Sequence, residues 1–190
     1  MVVVKQADES EVQHLARAAR AGDRAAFRRL VEMHMHAVHA LGHRMLGSHD
    51  DADDVAQETF VRAYRALDRY DESYSFYTWL RTIATRVALN EIDKRKRRQT
   101  TGGESFETAA EVVAASGPDP CEQVAGEELA EAVQASLRTL PAEFRAVLAL
   151  RTYEQMSYEE IATTLEIPIG TVMSRLNRAR RLMREAWRRR

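Results

Sequence analysis

Apolar residues recur at spacings of three and four over most of the first hundred positions, the period of helices that each bury one face. Val12, Leu15, Ala16 and Ala19 form a short stripe that stops at Gly22, with Asp23 placed to cap the next helix. A longer stripe follows in Phe27, Leu30, Val31, His34, Val38, Leu41 and Met45, and Gly47 closes it. Ser48 and Asp51 have the spacing of a capping box, and a third helix is expected over about 51–67. A polar turn at 68–73 precedes a fourth helix over about 76–98, carrying Trp79, Leu80, Ile83, Val87 and Ile92. The periodicity lapses over 99–121, where Gly102-Gly103 and Ser116-Gly117-Pro118-Asp119-Pro120 interrupt any regular element. Val112 to Ala115 there is long enough for one helical turn or for docking on a partner. Periodicity resumes near Glu122 with Leu129, Val133, Leu137 and Leu140, and Pro141 suits the first turn of a helix containing Phe144, Val147 and Leu148. No strand-like alternation of useful length occurs. The expected class is all-α: two small helical domains, 8–98 and 122–190, joined by a flexible linker over 99–121.

The C-terminal pattern is the most informative. Ser157 and Glu160 repeat the capping-box spacing at the head of a helix of about two turns, Glu166-Ile167-Pro168 breaks it, and a longer helix begins at 169–171. Two helices joined by so tight a turn form a helix-turn-helix. The second separates Val172, Leu176, Ala179, Met183 and Ala186 from Thr171, Ser174, Arg175, Arg178 and Arg181. The first set suits packing; the second can bond phosphates or base edges, as a major-groove recognition helix requires. An ordinary amphipathic helix shares the stripe, but not the capped helix and tight turn before it.

Composition adds bounds. The 190 residues are 45% hydrophobic and 30% charged, the balance of a soluble chain of one or two domains. No apolar run approaches the roughly 20 residues of a membrane span, and the N-terminus lacks a signal peptide's apolar stretch. The single Cys121 excludes an internal disulfide and a Cys-based zinc ribbon, so a cytoplasmic setting without membrane insertion is expected. Net charge of -1 argues at first against a nucleic-acid partner, but the charge is segregated. Residues 1–98 carry net +2, 99–140 net -7 and 141–190 net +4; residues 170–190 hold eight Arg against Glu185 alone. Lys94-Arg95-Lys96-Arg97-Arg98 closes the first segment, and no Lys or Arg occurs over 99–121. Two basic lobes flank an acidic connector.

Three blocks resemble the small bacterial RNA polymerase sigma factors of the extracytoplasmic-function (ECF, group 4, sigma-70 family) type: Asp51 to Tyr64; Phe76-Tyr77-Thr78-Trp79-Leu80 with its basic run; and Met156 to Ala162 through Gly170 to Arg175. The resemblance covers nearly the whole chain, and the order and separation of the blocks make it specific. It implies an alternative sigma factor, a non-catalytic subunit without cofactor or metal. Such a subunit binds core polymerase at the clamp coiled coil of the largest subunit and at the flap, and directs it to stress-response promoters. Domain 8–98 would be region 2 and domain 122–190 region 4. Asp54, Gln57, Glu58, Phe60, Val61 and Tyr64 would dock on core polymerase. Tyr74, Ser75, Phe76, Tyr77 and Trp79, with Arg81, Arg86, Asn90, Lys94 and Arg95, combine base-stacking surfaces with cations. The resemblance gives them recognition and melting of the -10 element, with a base flipped into the loop formed by Tyr74 to Tyr77. Ser157, Tyr158, Thr171, Ser174, Arg175, Arg178 and Arg181 would bind the -35 element as duplex. Arg86 stands where some members carry Asn, and Met173 where several carry Arg, so a family promoter sequence does not transfer unchanged. The acidic linker would run through the polymerase cleft and RNA exit path, and an anti-sigma factor is an expected partner.

One other class fits the residues: a stand-alone helix-turn-helix regulator whose N-terminal helices sense a ligand or metal. All six histidines fall in 14–49, and His36, His39 and His43 share one helical face. Without a neighbouring Cys or an evident fourth ligand, no metal is assigned to them. No HExxH-type constellation accompanies them, which disfavours a hydrolase.

Overall fold

The computed structural model describes residues 9–101 and 132–188. Every regular element among them is helical, and the chain divides into two compact units, residues 1–43 with 49–88 and residues 44–48 with 89–190. The division falls between Ala88 and Leu89.

In the first unit, α1 (Glu9–Arg20) turns Val12, Ala16 and Ala19 inward. It ends in a Schellman arrangement: the Gly22 N–H donates to the Ala19 carbonyl and the Asp23 N–H to that of Ala18, each at 3.0 Å, with Gly22 at φ +101°. Asp23 then caps α2 (Arg24–Leu46), its Oδ1 accepting from the Ala25 and Ala26 N–H groups at 2.8 and 3.1 Å. Gly47, at φ +80°, follows the last residue of α2. Helix α3 (His49–Arg65) begins two residues earlier than expected, directly after Ser48. Gly42 of α2 is buried where an added Cβ would stand 3.2 Å from Ala52 Cα, so α2 and α3 cross almost backbone to backbone. A 3-10 turn, Leu67–Arg69, leads to α4 (Phe76–Thr101), which is capped by Ser75: its Oγ accepts from the Thr78 N–H at 3.2 Å. Phe76, Leu80, Ala84, Val87 and Ala88 are its buried apolar residues in this unit.

In the second unit, residues 132–138 are helical (α5). Pro141 stands immediately before α6 (Ala142–Thr152) rather than inside its first turn, and its carbonyl accepts from the Phe144 and Arg145 N–H groups. Helices α6 and α7 (Tyr158–Leu165) pack on α8 (Ile169–Arg188) around Val147, Leu150, Ile161, Val172 and Leu176. Truncating one such leucine to alanine typically costs about 2–5 kcal/mol.

Helix α4 extends three residues past Arg98, to Thr101. The remainder of the expected linker, the turn at Val112 to Ala115, Cys121, and the resumption of helix through Glu122 and Leu129 lie outside the described residues.

Candidate nucleic-acid interface and docking groove

Helix α7 begins with the expected capping box: Ser157 Oγ accepts from the Glu160 N–H at 3.1 Å, and the Glu160 carboxylate from the Ser157 N–H at 2.6 Å. It ends at Glu166 in the left-handed region (φ 55°), where the Glu166 N–H reaches the Ala162 and Thr163 carbonyls and the Ile167 N–H donates to Ala162 at 3.0 Å. Two residues later Pro168 turns the chain into α8, its carbonyl accepting from the Thr171 N–H at 2.8 Å. Buried Val172, Leu176 and Ala179 fix the rotation of α8 and leave Ser174, Arg178 and Arg181 exposed, with Thr171 and Arg175 half-buried beside them. Ser174 donates to the Thr171 carbonyl at 3.0 Å and keeps its oxygen lone pairs for an acceptor role; Arg181 lies 3.7 Å from Glu185. The Ser157 hydroxyl oxygen accepts the capping bond and keeps its hydrogen for donation, and the Tyr158 ring lies under the Arg151 guanidinium at 5.4 Å.

In the first unit, the loop before α4 is held from several sides. Arg17 and Arg20 of α1 grip the Glu72 carboxylate at 2.7 and 3.2 Å. The Asp71 carboxylate accepts from the Ser73 N–H at 2.9 Å, which lowers its pKa, and the Tyr70 hydroxyl donates to the Tyr74 carbonyl at 2.8 Å. The buried Tyr70 packs on Phe76 and Trp79 with ring centroids 5.4 and 5.3 Å apart, and burial raises its pKa. This scaffold presents Tyr74, 61% exposed, and leaves Tyr77 and Trp79 half-buried. Phe76, however, is fully buried against His34, Tyr70 and Trp79, so it supports the loop and has no face for a base. Arg81 is also withdrawn, at 8% exposure, and is not a surface cation. Arg86, Asn90 and Lys94 are exposed at successive intervals of four along α4, hence on one side of that helix; Lys94 and Arg95 both reach Glu91.

A groove of about 680 Å³ runs between α2 and α3. Its walls are Phe27, Val31 and Met35 from α2 and Ala56, Phe60, Val61 and Tyr64 from α3, with Asp53, Gln57 and Arg65 as polar members. Phe27 and Tyr64 meet edge to face at 4.9 Å. Gln57, Phe60, Val61 and Tyr64 are thus brought together. Asp54 and Glu58 are exposed but are not among the wall residues, and Glu58 pairs with Arg62 at 2.6 Å.

Residues 30–98 match Sigma-70 region 2, and residues 130–183 match Sigma-70, region 4. The ECF RNA polymerase sigma factor SigW of Bacillus subtilis is 35% identical over 169 residues, covering 86% of this chain and 90% of SigW. The chain belongs to the ECF sigma factors. The ECF RNA polymerase sigma-E factor of Escherichia coli is 37% identical over 174 residues, 88% of this chain and 90% of that one. Among solved structures, CnrH in complex with the cytosolic domain of CnrY has 27% identity and a TM-score of 0.61, covering 94% of this chain and 96% of CnrH. The sigma factor RpoE of Bartonella quintana, in complex with the anti-sigma factor NepR, has the same fold at 24% identity, with a TM-score of 0.67 over 85% of this chain and 96% of that one.

Membership in the ECF family decides between the two readings of the helix-turn-helix: the chain is a promoter-directing sigma factor, not a stand-alone regulator. Its α3, the Tyr74 loop and α4 to Arg98 fall in the stretch matched to region 2, and the helix-turn-helix in that matched to region 4. Phe27 and Val31 are not legible as groove walls in the sequence because they sit in one apolar stripe with residues that are buried, and Met35 is not because it lies outside that stripe. Sequence reasoning also missed Asn177, exposed on the same helix as Ser174 and Arg178. The histidines do not form a triad on α2. His43 and His39 instead face His49 of α3, with ring centroids 4.2 and 5.6 Å away, and His39 lies 3.4 Å from Asp53. Among the described residues no three His, Cys, Asp or Glu side chains are placed to hold a metal ion, and no helix is long and apolar enough to cross a membrane.

Proposed function

We propose that residues 8–98 and 122–190 act as separate polymerase- and promoter-binding domains of a cytoplasmic, non-catalytic initiation subunit, with the polymerase supplying the chemistry. The α2–α3 groove takes the clamp coiled coil of the largest polymerase subunit. The observation that carries this is the groove itself, an open apolar trough with an exposed Gln57. A partner helix laid along it would bury Val61 and Tyr64, 38% and 45% exposed in this chain. Asp54 and Glu58 supply a polar margin. Tyr74 and the half-buried rings of Tyr77 and Trp79 capture unstacked bases of the -10 strand, while Arg86, Asn90, Lys94 and Arg95 follow its backbone or read a base. Ser174, Arg175 and Arg178 contact base edges of the -35 duplex; Thr171 and Arg181, with Ser157 and Tyr158 at the head of α7, contact phosphates. The relatives solved with CnrY and with NepR support an anti-sigma factor as a further partner.

Run-off transcription with purified core enzyme, with and without the chain, tests the function as a whole, and replacement of α3 residues at and beside the groove tests its route. Gln57→Ala and Glu58→Ala are expected to weaken core binding in a pull-down while leaving the thermal unfolding midpoint unchanged. Undiminished binding by both variants would remove the assignment of α3.

A further inference from the structure

With Val172, Leu176 and Ala179 buried, the roughly 100° advance per residue places Ser174, Asn177, Arg178 and Arg181 on the far side of α8 and Met173 on the flank beside them, and all five are exposed. Four of them are hydrogen-bonding side chains. Met173 is apolar and 50% exposed, and Ile169, one turn before it, is 43% exposed. These two stand in the N-terminal half of α8, the part of a recognition helix that meets base edges. The major-groove edges of the four bases carry donors and acceptors throughout, with one apolar group among them, the thymine C5-methyl. A flexible thioether can follow such a methyl where a branched side chain would have to fit it rigidly.

We propose that Met173 is a specificity-determining residue that reads a thymine of the -35 duplex through its 5-methyl group. The contact is direct and apolar, and it makes this chain select an A·T pair at one position. The inference rests on α8 being the major-groove helix.

The test uses holoenzyme reconstituted from core polymerase and the full chain. A -35 element is first selected by the wild-type holoenzyme from a randomised promoter library. Each thymine of that element, on either strand, is then replaced singly by deoxyuridine, which removes the methyl and no hydrogen-bonding group. At one position uracil is expected to weaken promoter binding about three- to fivefold, the value of one buried methyl. Met173→Ala should abolish that penalty, Met173→Leu should keep it, and Met173→Arg should move the preference at the same position toward guanine. Uracil tolerated everywhere, or a penalty that persists in Met173→Ala, would overturn the proposal while leaving α8 as the reader. A holoenzyme that selects no -35 sequence at all would instead remove α8 from the groove, and this inference with it.

Discussion

His34 of α2 lies flat against Tyr77 at 6.1 Å and edge-on to Phe76 at 5.3 Å, so a proton placed on it would be felt beneath the loop that presents Tyr74. Its Nδ1 stands 2.9 Å from the Leu30 carbonyl, which can only accept, so Nδ1 carries the hydrogen. Burial lowers its pKa below 6.5, against the smaller opposing influences of that hydrogen bond and of Glu9. In the unfolded chain the imidazole titrates near 6.5. As pH falls through that value the unfolded state takes up a proton that the folded state refuses, so stability present above about pH 6.5 is lost toward the lower, folded pKa and then levels off. The thermal unfolding midpoint should therefore drop between pH 7.5 and 5.5, and His34→Gln should drop less over the same interval. Equal slopes for the two proteins would show that His34 carries none of the effect.

The helix boundaries are set by short-range chemistry, which is why so many are legible in the sequence. Gly22 with Asp23 ends one helix and starts the next, and the Ser157–Glu160 box opens α7, each through bonds spanning a few residues. Ser157→Ala should cost about 1 kcal/mol through loss of the cap. A lowered melting temperature with an unchanged far-UV spectrum at low temperature is the expected reading. What the sequence does not disclose is which face of an apolar stripe meets which neighbour. Phe76 is one aromatic in a run of four between Tyr74 and Trp79, and only the approach of His34 and Tyr70 makes it the buried one. Arg81, expected as a cation for the DNA backbone, is likewise decided by tertiary packing. On α2, Leu30 and Val38 are fully buried whereas Phe27, Val31 and Met35 line the groove, a distinction that a period of 3.6 alone cannot draw.

For the molecule as a whole, near-neutrality is the sum of unlike parts, +7 over residues 170–190 against -7 over residues 99–140. Affinity for DNA grows with the number of phosphates neutralised, so a chain whose cations are offset by an equal acidic stretch elsewhere in its sequence should hold duplex weakly alone. Promoter fragments are expected to be retained at physiological salt only when core polymerase is added; strong retention by the free chain would contradict this. The α2–α3 groove adds a consequence for how long the protein lasts. Whatever fills the trough binds the folded first unit and not its unfolded form, and a ligand at a thousand times its dissociation constant contributes about 4 kcal/mol to that unit's stability. Unoccupied, the same helix pair leaves the exposed parts of Tyr64 and Val61 to water and should open to proteases more often. Occupancy of that surface should therefore slow proteolysis of the first unit, so that the free chain is cleaved sooner than the chain bound to its partner.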